Sequence, residues 1–320
     1  MGSVGMNLSV LPGATGHVRL VESAMPVPPI GADVLVRMVR APINPADLLA
    51  MDGRYSFDLS HDVPLGAEGA AMVAAVGEAV TDIAPGDMVL PLSRGNWCRY
   101  RTVRRSDLIA LPHGIDMAQA AMLRINPPTA RLLLQATGAA PGDVIVQNAA
   151  ASAVATWVRA MAARMDVTVI DVVRRPDDAL RDAIVDGQDL ADRVKAAAAG
   201  RPVRAALDCV AGAATGRMAQ CLAPGGRLIV FGHLSGEPIS VRSQLLTGGG
   251  LSISGFSLRP TEAAMGAEAI RAMFAELLVL HAETRPILPV RDVIPLSQAD
   301  AAIALARCGG QGRVLFDLTG

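Results

Sequence analysis

Short apolar runs alternate with alanine-rich amphipathic stretches through the middle of the chain. The apolar runs are rich in Val, Ile and Leu, as in strands that are buried on both faces of a sheet. They occupy residues 143–147, 167–173, 205–210, 227–231 and 251–255. The stretches between them predict helices over residues 152–164, 181–199 and 215–222. Strands and helices that alternate in this way are typical of a doubly wound parallel sheet, the Rossmann architecture.

Both ends of the chain have a different pattern. Near the N-terminus, β-branched runs bounded by Gly and Pro predict short strands, among them residues 33–40, 70–76 and 87–91. Near the C-terminus, the pattern predicts a helix over 261–280, a strand at 290–294, a helix over 297–307 and a strand at 314–318. We therefore predict an α/β fold, with a Rossmann domain at 117–260 and a β-rich domain formed from 1–116 and 261–320.

Composition and charge narrow the class of protein. The 320 residues are 51% hydrophobic and 18% charged, which is typical of a soluble globular protein. The 29 Lys and Arg residues nearly balance the 30 Asp and Glu residues, so neither a nucleic acid nor a membrane surface is indicated as a partner. The four cysteines lie far apart and form no CxxC pair, so we expect a protein of the reducing cytoplasm.

The segment after the first central strand is a candidate dinucleotide site. Residues 144–159 predict a strand, a turn and a helix, and the N-terminus of such a helix can bind a pyrophosphate. The turn, residues 147–155, reads QNAAASAVA and lacks the glycines of the usual fingerprint. Taken alone, it is better explained as an ordinary strand–helix turn.

Two arginines, Arg174 and Arg175, follow the second central strand, where a dinucleotide-binding protein recognises the ribose. An acidic residue would bind the 2′-hydroxyl there, whereas arginine binds a 2′-phosphate. Asp171 is the competing acid, but it lies inside the strand. The pair therefore favours NADPH over NADH, and two solvated arginines in an arginine-rich chain are the alternative.

Gly232 and Tyr55 are two further candidates. Gly232 follows the strand at 227–231 and would let a cofactor approach the backbone at the carboxyl edge of the sheet. Tyr55 is one of two tyrosines and lies on a polar loop. Its phenol can donate a proton or stabilise an enolate, although spacing alone favours a packing or surface tyrosine.

Several stretches together carry a resemblance to a known family. They are residues 44–55 (NPADLLAMDGRY), 90–97 (LPLSRGNW), 125–130 (INPPTA), 147–149 (QNA), 172–177 (VVRRPD) and 225–232 (GGRLIVFG). With them the chain resembles the medium-chain dehydrogenase/reductase superfamily over essentially its whole length. Within it, the chain is most similar to the zinc-independent, mitochondrial-type trans-2-enoyl-thioester reductases. The resemblance implies a GroES-like domain split around a Rossmann domain, and a homodimer.

The resemblance also implies roles for individual residues. Tyr55 matches the proton donor, Asn126 matches a cofactor-contacting asparagine, and Arg174 and Arg175 match the arginines that bind the 2′-phosphate of NADPH. The pyrophosphate turn corresponds to Ala151, Ser152, Ala153 and Val154. The two loops that enclose the nicotinamide correspond to Phe231, Gly232, His233 and Leu234 and to Phe256, Ser257, Leu258 and Arg259.

The chain also departs from its relatives. Ala67 stands where zinc-bearing members have a histidine, and the cysteines of their zinc sites are absent, which implies catalysis without a metal. Ala153 replaces a glycine of the fingerprint, and any requirement for positive φ there would cost roughly 1–2 kcal/mol. Ser257 replaces a usual tryptophan. Gly312 replaces a cofactor-contacting lysine, for which Arg313 could substitute.

Three functions follow from this sequence. The first is NADPH-dependent reduction of an α,β-unsaturated carbonyl compound, foremost a 2-enoyl thioester, with Tyr55 as the proton donor. The second keeps the fold and the cofactor but reduces a quinone. The third is a non-catalytic homologue that acts as a binding subunit, which the loss of the fingerprint glycines motivates.

Overall fold

A computed structural model describes residues 6–54 and 59–320. The chain divides into two compact units. Unit 1 comprises the residues up to Ile125 together with Ile287–Gly320, and unit 2 comprises Asn126–Pro286. In the described part of the chain, no helix combines the length and the hydropathy that a membrane span requires.

The described residues form strands and helices throughout both units. The strands are β1 (Met6–Pro12), β2 (Val18–Ala24), β3 (Asp33–Pro42), β4 (Ala70–Val76), β5 (Met88–Pro91), β6 (Tyr100–Arg104), β7 (Leu108–Ala110), β8 (Val144–Gln147), β9 (Thr168–Val173), β10 (Ile184–Val185), β11 (Val203–Asp208), β12 (Arg227–Val230), β13 (Ser252–Gly255), β14 (Val290–Pro295) and β15 (Arg313–Asp317). The helices are α1 (Pro45–Met51), α2 (Met117–Ala120), α3 (Asn126–Thr137), α4 (Ala153–Arg164), α5 (Leu190–Ala197), α6 (Ala213–Gln220), α7 (Ser243–Thr247), α8 (Leu258–Ala263), α9 (Ala267–Thr284) and α10 (Ala299–Arg307).

Unit 2 is a doubly wound parallel sheet with the order β10-β9-β8-β11-β12-β13. All of its strand pairs are parallel, and the chain reverses its direction of winding between β8 and β11. Val144, Ile145 and Val146 of β8 are fully buried, because helices cover both faces of such a sheet. The predicted Rossmann domain is therefore confirmed.

Several elements of unit 2 differ from the prediction. The helix predicted over 181–199 is confined to α5, and the strand β10 precedes it, because Ile184 and Val185 pair with the edge of β9. The helix predicted over 261–280 is divided into α8 and α9, with Gly266 at the N-terminal cap of α9. The helix α3 was not predicted, although Pro127 and Pro128 lie in its first turn, where proline is tolerated.

Both boundaries between the two units fall later in the sequence than the predicted domain limits at 116/117 and 260/261. The helix α2 packs against β3 and β4 of unit 1, so unit 2 begins only with α3. The helices α8 and α9 pack against α3, so the chain leaves unit 2 only after residue 286.

Unit 1 is the β-rich unit that both ends of the chain form. Its main sheet has the order β14-β15-β3-β4-β5-β7, with β6 also paired to β3, while β1 and β2 form a separate antiparallel hairpin. The C-terminal strand β15 pairs antiparallel with β3, which joins the two ends of the chain. Trp97 and Phe316 are both fully buried and meet edge to face, with ring centroids 5.1 Å apart.

A buried carboxylate fixes the start of α1 in unit 1. Asp47 is 1% exposed, and its Oδ2 accepts a hydrogen bond from the backbone N–H of Asn44 at 3.1 Å. Its Oδ1 accepts hydrogen bonds from the N–H of Ala67 at 3.0 Å and from the Arg94 guanidinium at 3.2 Å. Asp47 therefore ties the start of α1 to Ala67 and to Arg94. These bonds fix the position of α1, the helix that precedes Tyr55 in the chain.

Glu68 is a second buried carboxylate and joins two distant segments. It is fully buried; its Oε1 accepts a hydrogen bond from Asn44 Nδ2 at 3.0 Å, and its Oε2 accepts one from the N–H of Ile125 at 3.0 Å. Burial raises the pKa of Glu68 to about 7, although the hydrogen bond from Asn44 and the charge of Arg313 oppose the shift. Glu68 thus connects the cap of α1 to the residue that precedes Asn126.

Arg313, the candidate to substitute for the lysine of the relatives, lies in the same buried cluster as Asp47 and Glu68. Its Nη1 donates to the carbonyl of Ile43 at 3.5 Å, and its charge acts on Glu68 and Asp47. Gly312 has a φ of +84°, and a Cβ there would lie 2.9 Å from the backbone nitrogen of Arg291. A lysine at position 312 would therefore strain this backbone.

Glu68→Gln is expected to remove part of the pH dependence of stability. The carboxyl holds its proton up to about pH 7 when folded but only to about its ordinary value of 4.5 when unfolded. Its stabilising contribution is therefore complete below pH 4.5 and is lost as the pH rises to 7, by on the order of 3 kcal/mol.

Urea unfolding at pH 4.5 and pH 8 measures this difference. The free energy of unfolding of the wild type should fall more steeply between the two pH values than that of Glu68→Gln. Glu22→Gln, on the exposed face of β2, is the control and should follow the wild type. Equal slopes for the wild type and Glu68→Gln would contradict the assignment.

Candidate functional site

The carboxyl ends of the parallel strands in unit 2 form the edge at which ligands of this fold bind. The strands β8 and β11 are neighbours, and the chain winds away from them in opposite directions, so the switch point lies between them. Most of the predicted cofactor residues follow β8, β9, β12 or β13 directly, so the fold brings them to this one edge.

The turn between β8 and α4 is built to receive an anion. Ser152 caps the helix, and its Oγ accepts a hydrogen bond from the N–H of Ala155 at 3.2 Å. The N–H groups of Ala153 and Val154 have no hydrogen-bond partner among the described residues. The N-terminus of α4 therefore offers two donors and the positive end of the helix dipole, which fits a pyrophosphate without the usual glycines.

The positive φ of this turn lies at Ala149 and not at Ala153. Ala149 has a φ of 49°, whereas Ala153 is the first residue of α4 and has a helical backbone. The free-energy cost of a positive φ therefore does not arise at Ala153. Hydrogen bonds from the N–H of Ser152 to the Ala149 carbonyl (2.8 Å) and from the N–H of Ala150 to the Val172 carbonyl (3.2 Å) hold the turn.

A polar network supports the turn from behind. Gln147 Nε2 donates to Asp171 Oδ1 at 2.7 Å and to the carbonyl of Ala155 at 3.2 Å. Arg159 Nη1 donates to Asp171 Oδ2 at 3.2 Å and to the carbonyl of Ala150 at 2.8 Å. Both oxygens of Asp171 are engaged within the protein, which favours a structural role for this carboxylate over binding of a ribose hydroxyl.

Arg174 and Arg175 directly follow β9, beside the turn after β8. Both are exposed, and neither forms a hydrogen bond or an ion pair with another residue in the described part of the chain. Two guanidinium groups at this edge, with the nearest acid already occupied, fit a 2′-phosphate better than a 2′-hydroxyl.

A buried carboxylate at the switch point was not identified from the sequence. Asp208, the last residue of β11, is fully buried, and its Oδ1 accepts hydrogen bonds from Asn148 Nδ2 at 2.6 Å and from the N–H groups of Val210 and Ala211 at 2.9 and 3.0 Å. Its Oδ2 accepts one from Thr215 Oγ1 at 2.6 Å. The available signal was a pair of polar residues, Asn148 and Asp208, at the ends of two apolar strands.

The two predicted nicotinamide loops lie side by side. The loop of Phe231, Gly232, His233 and Leu234 follows β12, and the loop of Phe256, Ser257, Leu258 and Arg259 follows β13; Val230 pairs with Gly255 at the ends of these strands. Phe231 and Phe256 are half-buried, whereas His233, Leu234, Ser257 and Arg259 are exposed. Leu258 begins α8, with Ser257 at its N-terminal cap.

Gly232 is required by the protein itself. A Cβ at this position would lie 2.6 Å from the carbonyl oxygen of Cys209 and 2.7 Å from its Sγ. The close approach that a glycine permits here is therefore made to Cys209, and the predicted approach of a cofactor stays a prediction. Burial raises the pKa of the Cys209 thiol to about 12, so the thiol is not a nucleophile at neutral pH.

The remaining predicted residues are Asn126 and Tyr55. Asn126 begins α3 and is 5% exposed. Tyr55 lies outside the described residues, which resume at residue 59. Ala151, the other predicted residue of the pyrophosphate turn, is exposed directly before the cap of α4.

Comparison with known proteins agrees with this fold and its organisation. Residues 31–123 match the model of the alcohol dehydrogenase GroES-like domain, and residues 149–275 match that of the zinc-binding dehydrogenases. The human mitochondrial enoyl-[acyl-carrier-protein] reductase is 31% identical, over 85% of this chain and 77% of its own length.

Solved structures agree in fold. The structure of the Etr1p/NADP/crotonyl-CoA complex has a TM-score of 0.84 at 19% identity and covers 98% of this chain and 99% of its own. A protein provisionally assigned as an NADPH:quinone reductase, from Bacillus thuringiensis, has a TM-score of 0.85 at 24% identity and 98% coverage of both chains. With the relationship to the human reductase, these matches show that the chain belongs to the medium-chain dehydrogenase/reductase superfamily and is of the enoyl-reductase type.

Proposed function

We propose that the protein is an NADPH-dependent reductase of α,β-unsaturated carbonyl compounds, foremost 2-enoyl thioesters. The observation that carries the proposal is the exposed pair Arg174 and Arg175 at the edge where Asp171 is already engaged, in a chain 31% identical to an enoyl-[acyl-carrier-protein] reductase. NADP and crotonyl-CoA are bound in one neighbouring structure, which agrees with this choice of cofactor and substrate class.

Residues of unit 2 would hold the cofactor. The N–H groups of Ala153 and Val154 would bind the pyrophosphate, and Arg174 and Arg175 would bind the 2′-phosphate. The loops after β12 and β13, together with Asn126, would orient the nicotinamide. When bound, NADPH supplies a hydride to the β-carbon of the substrate.

Tyr55 would complete the reduction. Charge builds on the carbonyl oxygen of the substrate during the reaction, and the phenol of Tyr55 would stabilise that charge or deliver a proton to the α-carbon. Asp47 and Glu68 would fix the α1 segment that leads to Tyr55, through Asn44.

Tyr55→Phe is expected to lower kcat with a 2-enoyl thioester by roughly 100- to 1000-fold, because one donor to the developing charge is lost. The dissociation constant for NADPH should be nearly unchanged. Tyr100→Phe, a change at the other tyrosine, is the matched control and should keep full turnover. An unchanged kcat in Tyr55→Phe would remove Tyr55 from the mechanism.

The same kinetic experiment separates the three functions. Wild-type protein is assayed with crotonyl-CoA and with a quinone, and NADPH binding is measured by fluorescence. Faster turnover of the quinone would favour the quinone reductase, and the absence of any NADPH binding would favour a non-catalytic binding subunit.

Replacing both Arg174 and Arg175 by Ala is expected to weaken NADPH binding by about 10- to 100-fold, because charge-assisted hydrogen bonds to the 2′-phosphate are lost. NADH has no 2′-phosphate, so its dissociation constant should change far less. Arg271→Ala, at an exposed position of α9, is the control for the loss of positive charge. An equal loss for both dinucleotides would show that the pair is merely solvated.

The proposal further includes a metal-free, homodimeric enzyme of the cytoplasm. Ala67 at the position of a zinc ligand supports the first statement, since its backbone N–H binds Asp47 and its side chain has no ligand atom. Metal analysis of the purified protein should find no stoichiometric zinc, and sedimentation should give twice the mass of 33.1 kDa. Stoichiometric zinc would refute the metal-free statement, and a monomer would refute the homodimer. Imaging of the tagged protein tests the cytoplasmic location.

A further inference from the structure

An ion pair joins the C-terminal end of α1 to the C-terminal end of α10, and the proposed function does not yet use it. Asp52 is the C-terminal cap of α1, and Arg307 is the last residue of α10. Arg307 Nη2 donates to Asp52 Oδ1 at 2.7 Å, and Arg307 Nη1 donates to Asp52 Oδ2 at 3.0 Å. Two parallel bonds between the same groups fix their relative orientation as well as their distance.

The place of Asp52 in α1 is unfavourable without this partner. A carboxylate at the C-terminal end of a helix meets the negative end of the helix dipole, and α1 has no basic residue in its last turn. Arg307 supplies the positive charge from another helix. Its hydrogen bonds hold the pKa of Asp52 below the ordinary value of 3.8, so the carboxylate is charged at neutral pH. The end of α1 therefore depends on a residue from the C-terminal part of unit 1.

The turn of the β1–β2 hairpin meets the same ion pair. Arg307 Nη2 donates to the carbonyl of Gly16 at 3.3 Å, and the N–H of Gly16 donates to the carbonyl of Met51 at 2.8 Å. Gly16 has a φ of +81°, and a Cβ there would lie 3.4 Å from Asp52 Oδ1. Met51 itself is 5% exposed and belongs to the core of unit 1. Three segments of unit 1 thus hold the last turn of α1.

Backbone hydrogen bonds extend this order to the residue before Tyr55. The N–H of Gly53 donates to the carbonyl of Ala50 at 3.1 Å, and the N–H of Arg54 donates to the carbonyl of Leu49 at 2.8 Å. Gly53 has a φ of +66°. This is the Schellman arrangement, in which a left-handed residue ends a helix. The chain therefore leaves α1 in a defined direction, and Tyr55 is the next residue.

We propose that Asp52 and Arg307 are positioning residues for Tyr55. Their role is indirect: they fix the end of α1 from which the chain enters residue 55, as Asp47 fixes the start of the same helix. Precise placement matters because a misplacement of 1 Å can lower the rate of a catalysed step by about 100-fold. The inference rests on the proposed function, in which Tyr55 stabilises the developing charge or donates the proton.

Removing the ion pair from either side tests the inference. Arg307→Gln is expected to lower kcat with crotonyl-CoA by about tenfold, because Tyr55 is then held less precisely. KM and the dissociation constant for NADPH should stay nearly unchanged, since the residues proposed to hold the cofactor all belong to unit 2. Asp52→Asn should give the same loss of kcat. It also removes the charge that opposes the helix dipole, so it serves as the test if Arg307→Gln does not fold.

Arg105→Gln is the matched control. Arg105 binds both carboxylate oxygens of Asp82 and the carbonyl of Leu108, so it has the same set of bonds as Arg307 but joins segments other than α1. Its kcat should equal that of the wild type. Equal losses in Arg105→Gln and Arg307→Gln would overturn the inference. Ion pairs that reach solvent contribute little to stability, so all three variants should be folded, as circular dichroism and Tm will establish.

A double-mutant cycle determines whether the effect passes through Tyr55. In the Tyr55→Phe background, Arg307→Gln should change kcat by less than about twofold, because the group that it positions is already absent. The same tenfold loss in both backgrounds, or an unchanged kcat in Arg307→Gln alone, would overturn the positioning role and leave the proposed function intact. A wild-type protein that does not reduce crotonyl-CoA would refute the proposed function, and the inference with it.

Discussion

The carboxylate of Asp208 is the interaction on which the candidate nucleotide-binding edge of unit 2 depends. A fully buried carboxylate is tolerated only when its oxygens are bonded, and Asp208 is bonded to β8 through Asn148, to the loop after β11 and to α6 through Thr215. It therefore fixes the two central strands at the point where the chain changes its direction of winding. The turn after β8 and the loops after β12 and β13 take their positions from these strands.

Unit 1 uses the same principle with Asp47 and Glu68. Each carboxylate lies in the interior and binds groups from segments that are far apart in the chain, so that helix α1, the strands and the residue before α3 have one common arrangement. Because burial raises the pKa of Glu68 to about 7, the arrangement in unit 1 depends on pH near neutrality.

Much of this fold could be predicted from the sequence, because a strand buried on both faces requires an uninterrupted apolar run. The strands β8, β9 and β12 were therefore predicted nearly to the residue. Periodicity could not separate the two-residue strand β10 from the helix that follows it, since Ile184 and Val185 fit both. The arginine pair was a candidate from the sequence because its position after β9 has chemical meaning, and its role stays a prediction. The role of Asp208 depends on partners more distant in the chain, such as Asn148.

The exposure of Arg174 and Arg175 has a consequence for the conditions in which the protein works. Charges that remain in solvent are screened over a Debye length of about 8 Å at physiological ionic strength and over about 30 Å in dilute buffer. The backbone donors of α4 are half-buried and are screened less. In the proposed role of Arg174 and Arg175, the preference between the two nicotinamide dinucleotides would therefore depend on the salt concentration as well as on these two residues.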